Sequence, residues 1–421
     1  MAHRRALAAE RQRESFWALT AVLVICGVVL AVLTVQARLL GLPRSWLAGV
    51  PVSTGEAAGL LGIVASATLT FLGVVFTLTL VALQLASSQL SPRVLRTFVR
   101  SGVTKLAFGL LLATFAFSVA FLILEGGRHE ADSRGVTAAM ILVAASVAVF
   151  VVFVARIMRL LQVAWVITTV AGETRAAVLR CYPPAGGYQQ AELPEAPGPS
   201  ITIRLPAGHW GRNGTLGVVQ AVDRARMCTL ASRHGCVLQL LVRVGEYVPA
   251  GSAVVAAHGS SPPASDVLRG ISLGRVRTLY QDPAFGLRQL VDIAIQALSP
   301  AVNQPTTAVQ VIDRLEDILL HIAAVPDRAG RYADQAGLVR FVEPVMSWDD
   351  HLDLAFTEIT DYGRSSVQVV RRLAAAYDAL AAAVGAERRA PLRARRTALL
   401  DQASRLGLAP GRLEPDPMGL G

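Results

Sequence analysis

A stripe of small and polar residues along one apolar segment is the first place where this sequence could do chemistry. Its members are spaced by threes, fours and a seven, so a helix places them on one face; they are Ser66, Thr70, Gly73, Thr77, Gln84 and Ser88. Such a face predicts either a contact between helices, held by side-chain hydrogen bonds, or the lining of a water-filled path for ions or small solutes. The spacing alone leaves both interpretations open.

A second candidate is the segment QDPAFGLRQLVDIAIQALSPAVNQPTTAVQVIDRL, residues 281–315. Asp282 before Pro283 predicts a helix start, and Pro305 predicts the start of a second helix after the break SPAVNQPTTA. The free N–H groups at a helix start either bind an anion or are capped by nearby side chains. The segment therefore predicts a helical hairpin with a polar turn that serves ligand binding or assembly, and its candidate residues are Asp282, Arg288, Asp292, Asn303, Thr306 and Thr307.

Patterns for metal binding and catalysis are weak. The four cysteines show no CxxC spacing, and Cys228, His234 and Cys236 fall short of the four ligands of a structural zinc site. The acidic run around His351, SWDDHLDLAFTEITDYG, lacks the regular oxygen spacing of an EF-hand loop. No serine, histidine and carboxylate lie close enough in sequence to propose a triad. We expect no cofactor, no metal and no enzymatic activity.

The composition indicates a chain that is partly dissolved in lipid, because 53% of its 421 residues are hydrophobic and only 17% are charged. Four apolar segments without charge approach or exceed the roughly 20 residues that cross a bilayer as a helix; they are residues 16–35, 57–85, 106–124 and 136–154. We expect a basic N-terminus over residues 1–15 and a transmembrane domain of four helices over residues 16–155.

The basic residues predict the orientation of these helices. Arginines concentrate in the N-terminus, in the loop after the second span and after the fourth span, and the positive-inside rule puts those regions in the cytoplasm. This predicts a bacterial inner-membrane protein with both termini cytoplasmic. Arg93, Arg96 and Arg100 would then form a basic mouth that favours anions, or simply follow the positive-inside rule. The spans carry no Asp, Glu or His, which favours passive movement over proton-coupled transport.

The rest of the chain predicts a cytoplasmic α+β part. A connecting helix and a Pro/Gly-rich linker occupy residues 156–199, and short strands fill residues 200–258 as ITIRL, TLGVVQAV, CTLA, VLQLLVRVG and AVVAA. The stretch LLVRVGEYVPAGSAVVA resembles the half-motif of lipoyl- and biotinyl-type domains, which implies a small β-barrel or sandwich. Lys105 is the single lysine, so the carrier function of that class is excluded. A helical domain follows over residues 259–408, and residues 409–421 form a disordered tail.

Two long motifs carry a family resemblance. LVALQLASSQLSPRVLRTF and the segment 281–315 resemble the signature segments of a bacterial family of predicted inner-membrane proteins, domain-of-unknown-function family 2254. The resemblance runs from the first span to about residue 373, and it implies an integral membrane protein with a large cytoplasmic part and no assigned reaction. Gln304 stands where the family is expected to have Asp, which removes a carboxylate from the turn.

These patterns favour two functions. The leading hypothesis is a homo-oligomeric passive channel for ions or small solutes, including anions, with cytoplasmic domains for assembly and control. The alternative is a membrane-anchored sensor or scaffold whose cytoplasmic part binds a ligand or a protein. The net charge of +10 comes with no nucleic-acid-binding motif, so nucleic acid is excluded as a partner, and the lipid bilayer is the expected surrounding.

Overall fold

The computed structural model describes residues 16–39, 54–89, 102–125, 133–160, 162–182, 200–206, 217–325 and 330–408. The basic N-terminus (1–15), the residues Arg93, Arg96 and Arg100, most of the linker and the tail (409–421) lie outside the described residues. The chain divides into two compact units, residues 1–162 and residues 163–421.

The first unit contains four helices that are long and apolar enough to cross a membrane, which confirms the predicted spans. Their bounds are α1 Phe16–Leu39, α2 Thr54–Gln89, α3 Gly102–Glu125 and α4 Ser133–Leu160. Helix α3 packs against the other three. A Cβ added at Gly27 would lie 2.5 Å from the Ala113 carbonyl oxygen, so glycine is required where α1 crosses α3. The buried hydroxyls of Thr114 and Ser146, 2.9 Å apart, join α3 to α4.

The second unit begins with helix α5, Val163–Cys181, which follows α4 after two residues. Its further helices are α6 Arg224–His234, α7 Ala264–Leu268, α8 Pro283–Leu298, α9 Pro305–Ala323, α10 Trp348–Leu352, α11 Glu358–Gly363, α12 Val367–Ala383 and α13 Ala386–Arg405. A π-helical segment, Asp353–Thr357, joins α10 to α11.

The strands of the second unit form two sheets. In chain order they are β1 Ser200–Arg204, β2 Gly217–Val222, β3 Val237–Leu240, β4 Tyr247–Val248, β5 Ala253–His258, β6 Ile271–Gly274, β7 Arg331–Ala333 and β8 Val339–Val342. One sheet has the order β1-β5-β3-β8-β7 and the other β4-β2-β6, and all pairs are antiparallel except β3 with β8. The α+β prediction is confirmed, but no closed barrel is present among the strands that the structure describes.

The predicted strand CTLA, residues 228–231, is wrong because these residues lie inside α6. Asp223 caps this helix by accepting a hydrogen bond from the Arg226 amide at 3.1 Å. Gly235 ends the helix in the left-handed conformation at φ 62°, which glycine adopts without strain. Short apolar runs are ambiguous between helix and strand, and here the two capping residues decide the outcome.

The predicted helical hairpin is confirmed as α8 and α9, and both helices pack against α5. A Cβ at Gly286 would overlap the hydroxyl oxygen of Thr174, so glycine allows α8 and α5 to approach closely. The apolar stripe of α9 is buried at Val309, Ile312 and Leu315, as its spacing predicts. The hairpin therefore forms the core of the helical part of this unit.

Candidate functional site

A polar cleft of about 370 Å³ lies within the second unit, where the end of α5, the loop after β3 and the start of α8 meet. Its charged lining consists of four arginines, three carboxylates and one histidine: Arg224, Arg243, Arg277, Arg288, Glu246, Asp282, Glu343 and His351. Apolar side chains such as Leu240, Val345, Met346 and Leu354 complete the lining. The volume lies within the roughly 300–1,000 Å³ typical of small-molecule pockets.

Two of the carboxylates are held by arginines at the cleft. Arg224 Nε donates to both carboxylate oxygens of Glu343, at 2.9 and 3.0 Å, and the side chain of Glu343 is 5% exposed. Arg277 donates through Nε and Nη2 to the two oxygens of Asp282, at 2.8 and 2.9 Å. Burial raises the pKa of Asp282, and the Arg277 guanidinium opposes that shift. Paired in this way, both carboxylates act as anchors for the arginines.

The first residues of the segment 281–315 build one wall of the cleft. The Gln281 side chain accepts a hydrogen bond from the Val222 amide at 2.9 Å and donates to the Val222 carbonyl at 3.2 Å, which fixes the segment to the end of β2. Asp282 also accepts from the Phe285 amide at 3.0 Å and so caps α8, as predicted. These two neighbouring side chains thus join the sheet to the helical hairpin.

A buried histidine also lines the cleft. His351 is 2% exposed, and its Nε2 lies 3.1 Å from the hydroxyl oxygen of Tyr182, the residue that follows α5. Its Nδ1 lies 2.7 Å from the Ser347 carbonyl oxygen. Two residues later the chain enters the π-helical segment, and Leu354 of that segment lines the cleft. Single π-helical turns inside α-helices occur frequently at functional sites.

The six residues predicted for the polar turn do not lie together. Asp282 and Arg288 line the cleft at the start of α8, and Arg288 donates to Asp292 at 2.8 Å and also to Glu358.

The other three residues, Asn303, Thr306 and Thr307, follow the far end of α8. This helix has 16 residues. It is therefore roughly 24 Å long, because each residue of an α-helix adds a fixed rise. Asn303 is exposed and adopts the left-handed conformation at φ 47°.

The described polar side chains of the turn do not converge on one site. Gln304 is the N-cap of α9, and its side chain makes no capping hydrogen bond. Thr306 is exposed and Thr307 is half-buried, and neither side chain contributes to the cleft. Ligand chemistry in the hairpin therefore concentrates at the start of α8.

The polar stripe of α2 lies on the exposed face of that helix. Ser66, Thr70, Gly73, Thr77 and Gln84 are exposed, whereas Leu61, Val75 and Ala82 of the same helix are buried against its neighbours. The side chain of Ser88 lies outside the described residues. The stripe is therefore not a contact with other described helices of the same chain.

The hydroxyls of the stripe bond to their own helix. Ser66, Thr70 and Thr77 donate to the carbonyl oxygens four residues earlier, at 2.8 to 3.0 Å. A Cβ built at Gly73 meets no atom within 4 Å, and the same holds at Gly55, Gly59 and Gly62, which extend the stripe. These hydroxyls are satisfied within the helix, so the face tolerates lipid and also leaves room for a neighbouring helix.

The described residues contain no group of three His, Cys, Asp or Glu side chains placed to hold a metal ion. Burial, together with the carboxylates of Asp334 and Glu343, raises the pKa of Cys228 to about 11, so this thiol stays protonated at neutral pH. The acidic residues Asp349 and Asp350 stand in the first turn of α10, where Ser347 and Asp350 form a capping box.

Most of the cleft has no signal in the sequence. Arg224 and Glu343 are 119 residues apart, and Tyr182 and His351 are 169 residues apart, so only the tertiary fold brings each pair together. One signal was present. Arg243 interrupts the apolar run VLQLLVRVG just after β3. A charged residue in such a run is expected to face solvent or to have a charged partner.

Comparisons with known proteins agree with the predicted membrane character. A family model described as predicted membrane protein, DUF2254, matches residues 13–379. An uncharacterised protein of Mycobacterium tuberculosis strain H37Rv is 34% identical over 362 residues, covering 82% of this chain and 67% of the relative. An uncharacterised protein of Mycobacterium bovis matches with the same identity and coverage. No solved structure matches. The chain is a multi-pass membrane protein and belongs to the DUF2254 family of predicted membrane proteins.

Proposed function

We propose that this protein is a membrane-anchored receptor whose second unit binds a small ligand in the polar cleft. The observation that carries the proposal is the convergence of the 281–315 segment, a buried histidine and a π-helical segment on one cavity of ligand size. We propose binding and not catalysis, since Asp282 and Glu343 are each engaged by an arginine.

The position of α5 supports a signalling role for the cleft. This helix begins three residues after the last span ends, and its final residue, Cys181, and the following Tyr182 line the cleft. The Tyr182 hydroxyl also lies within hydrogen-bond distance of His351, which lines the same cleft. A ligand that changes the arrangement of these side chains thereby acts on the helix that follows the last span along the chain.

A cavity-filling variant tests this proposal. Ala284 is half-buried at the cleft, and Ala284→Leu inserts three extra carbons into it, whereas Ala301→Leu makes the same change at an exposed turn. Thermal unfolding of the full-length protein in detergent micelles is measured against a panel of sugars, nucleosides, amino acids and organic acids. We expect a compound that raises the Tm of the wild type and of Ala301→Leu but not of Ala284→Leu. If no compound does so, the receptor proposal fails.

A homo-oligomeric passive channel is the second candidate function, and the exposed stripe of α2 is the observation that favours it. Small residues let helices approach closely in lipid, and Gly55, Gly59, Gly62 and Gly73 leave an open groove beside the hydroxyls. Several copies would place Thr77 around one axis together with Gln84, whose amide would then face ions or small solutes. Spans without acidic residues or histidine support passive movement.

Subunit counting tests the channel. Native mass spectrometry of the protein in lipid nanodiscs is expected to show three or more copies, because fewer α2 helices do not enclose water. Conductance through planar bilayers should then fall in a Thr77→Leu, Gln84→Leu double variant and stay unchanged when Leu83, which is exposed on another side of α2, is replaced by Ile. A monomer, or conductance that survives the double variant, rules the channel out.

We also propose that the protein lies in the bacterial inner membrane with both termini in the cytoplasm. The distribution of arginines supports this orientation, since Arg4, Arg5, Arg93 and Arg96 belong to segments on the same predicted side. Fusions at the C-terminus test it. A green fluorescent protein fusion should fluoresce and an alkaline phosphatase fusion should be inactive, and the reverse pair of results would place the C-terminus outside.

A further inference from the structure

We infer that the ligand of the cleft is a small organic oxyanion, bearing a carboxylate or phosphate group, held by Arg224 and Arg243. The inference rests on the proposed receptor function and names the chemistry of its ligand. It follows from which guanidinium donors the protein uses for itself and which it leaves available.

The Arg224 side chain is fixed by the protein, and the described residues engage only one of its three guanidinium nitrogens in hydrogen bonds. Its Nε donates to both oxygens of Glu343, and its guanidinium carbon lies 5.5 Å from the centre of the Tyr332 ring. Tyr332 in turn donates to Glu343, which fixes all three side chains. In the part of the chain that the structure describes, the terminal nitrogens Nη1 and Nη2 of Arg224 make no hydrogen bond. A planar guanidinium with two free terminal nitrogens matches the paired oxygens of a carboxylate or phosphate.

Arg243 supplies a second, less restrained guanidinium. It follows β3, and its backbone N–H donates to the Glu246 carboxylate at 2.9 Å, which fixes the loop and leaves the side chain exposed. The guanidinium of Arg243 forms no hydrogen bond with any residue described, and its positive charge lowers the pKa of Asp350 only as a minor contribution after the hydrogen bonds from Ser347. An exposed arginine that lines a cleft is suited to capture an anion from solution.

The other two arginines of the lining are committed to the protein. Arg277 pairs with Asp282 through two hydrogen bonds, and Arg288 pairs with Asp292 and Glu358. They therefore shape the cleft and are not its main anion donors. Among the four arginines of the lining, Arg243 is the one whose guanidinium no described carboxylate engages by a hydrogen bond, so the charge available to an anion comes mainly from this residue.

The size and the apolar lining indicate an organic molecule in place of a bare inorganic ion. The cavity of about 370 Å³ exceeds the volume of a single phosphate, and Leu240, Met346 and Leu354 offer apolar contact to a carbon skeleton. Such a mixed lining is typical of small-molecule sites. The same chemistry occurs in a soluble metabolite and in the headgroup of an anionic lipid, so the test needs an arm for each source.

Isothermal titration calorimetry on the full-length protein in detergent micelles tests the soluble source, with citrate, pyrophosphate and inorganic phosphate as probes. Nanodiscs of phosphatidylcholine with and without phosphatidic acid test the lipid source, with the Tm as readout. The variants are Arg243→Gln at the cleft and Arg393→Gln at an exposed position of α13. We expect at least one probe to bind the wild type and Arg393→Gln, and Arg243→Gln to weaken that binding roughly tenfold or more.

The possible results separate the claims. Binding of citrate that depends on Arg243 supports the inference for a soluble ligand, and a Tm increase with phosphatidic acid that depends on Arg243 supports it for a headgroup. Binding of pyrophosphate or inorganic phosphate without either of these overturns the organic part of the inference. No binding in either arm, or binding that Arg243→Gln leaves unchanged, overturns the inference. In that case a neutral compound that stabilises the wild type and Ala301→Leu but not Ala284→Leu would still uphold the receptor function. The absence of any such compound would overturn both the receptor function and the inference about its ligand.

Discussion

The Tyr182 hydroxyl lies 3.1 Å from Nε2 of His351, so the residue that follows α5 is joined to helix α10. His351 Nδ1 lies 2.7 Å from the Ser347 carbonyl oxygen. A carbonyl oxygen can only accept, so Nδ1 carries the proton of the neutral ring. With the ring neutral, Nε2 accepts from the Tyr182 hydroxyl. The contact joins two residues that both line the cleft.

Removing that hydroxyl should weaken the second unit. We expect Tyr182→Phe to lower the free energy of unfolding by about 0.5–1.5 kcal/mol, the net worth of one hydrogen bond inside a protein. Urea titration of the full-length protein in nonionic detergent micelles measures it. Tyr362→Phe is the matched control, because Tyr362 is 53% exposed. Equal midpoints for the two variants would contradict the importance of the contact.

Local signals in the sequence were sufficient to predict the helical hairpin. Asp282 and Pro283 define the start of α8 through a side-chain cap and a fixed φ, and both act within one turn. Arg288 and Asp292 stand four residues apart on that helix and lie 2.8 Å from each other, a contact that follows from helix geometry. The four spans were predictable for a similar reason, since the apolar length of a segment is a local property.

The cleft could not be predicted, because its parts depend on long-range pairing. The parallel pairing of β3 with β8 brings Leu238 beside Phe341, and this places Glu343 within reach of Arg224. Neither strand carries a signal for its partner. The exposure of the α2 stripe was equally hidden, since residue spacing defines the face of a helix but not what covers it.

Two glycine substitutions should change the free energy of unfolding in opposite directions. Gly286→Ala makes its new Cβ overlap the hydroxyl oxygen of the buried Thr174, and such overpacking should cost about 1–3 kcal/mol of unfolding free energy. Gly172→Ala lies on the exposed side of α5, where a Cβ meets no atom within 4 Å. This second change should instead gain about 0.5–1 kcal/mol from helix propensity. Urea titration measures both.

A double variant tests whether contact with Thr174 causes the loss of stability in Gly286→Ala. Thr174→Ala removes Oγ1 and Cγ2, two of the three Thr174 atoms that the new Cβ meets, and leaves the Thr174 Cβ at 2.7 Å. The combined Thr174→Ala, Gly286→Ala change should therefore cost less than the sum of the single changes. Strict additivity would mean that the loss at Gly286 has another cause.

The N-cap of α9 is open to improvement. Gln304 makes no capping hydrogen bond, although a short acidic side chain at this position accepts from the first amides of a helix. Gln304→Asp should therefore raise the free energy of unfolding by about 0.5–1 kcal/mol. Gln310→Asp, at an exposed position inside the same helix, should lower it slightly because Asp is a poor helix former. A gain in both variants would point to net charge instead of capping.

The pH dependence of stability should carry a contribution from Asp334. Hydrogen bonds from Arg340 and Ser232 lower the pKa of this carboxyl to about 2, so it stays ionised in the folded protein to more acidic pH than in the unfolded chain. A depressed pKa contributes stability that is complete above the ordinary Asp range, near pH 4, and is lost as the pH falls towards 2. The wild type should therefore lose stability across that window.

The variant Asp334→Asn isolates this contribution. Asn keeps an oxygen for the Ala336 and Leu338 amides but no charge for Arg340, so the variant should be less stable than the wild type above pH 4 and converge with it near pH 2. Urea midpoints at pH 5, 4, 3 and 2 measure the difference. The control variant is Asp361→Asn, at an exposed position of α11. Its urea midpoint should differ from that of the wild type by the same amount at every pH. A constant gap between Asp334→Asn and the wild type would mean that the loss comes from packing, since a packing defect does not titrate.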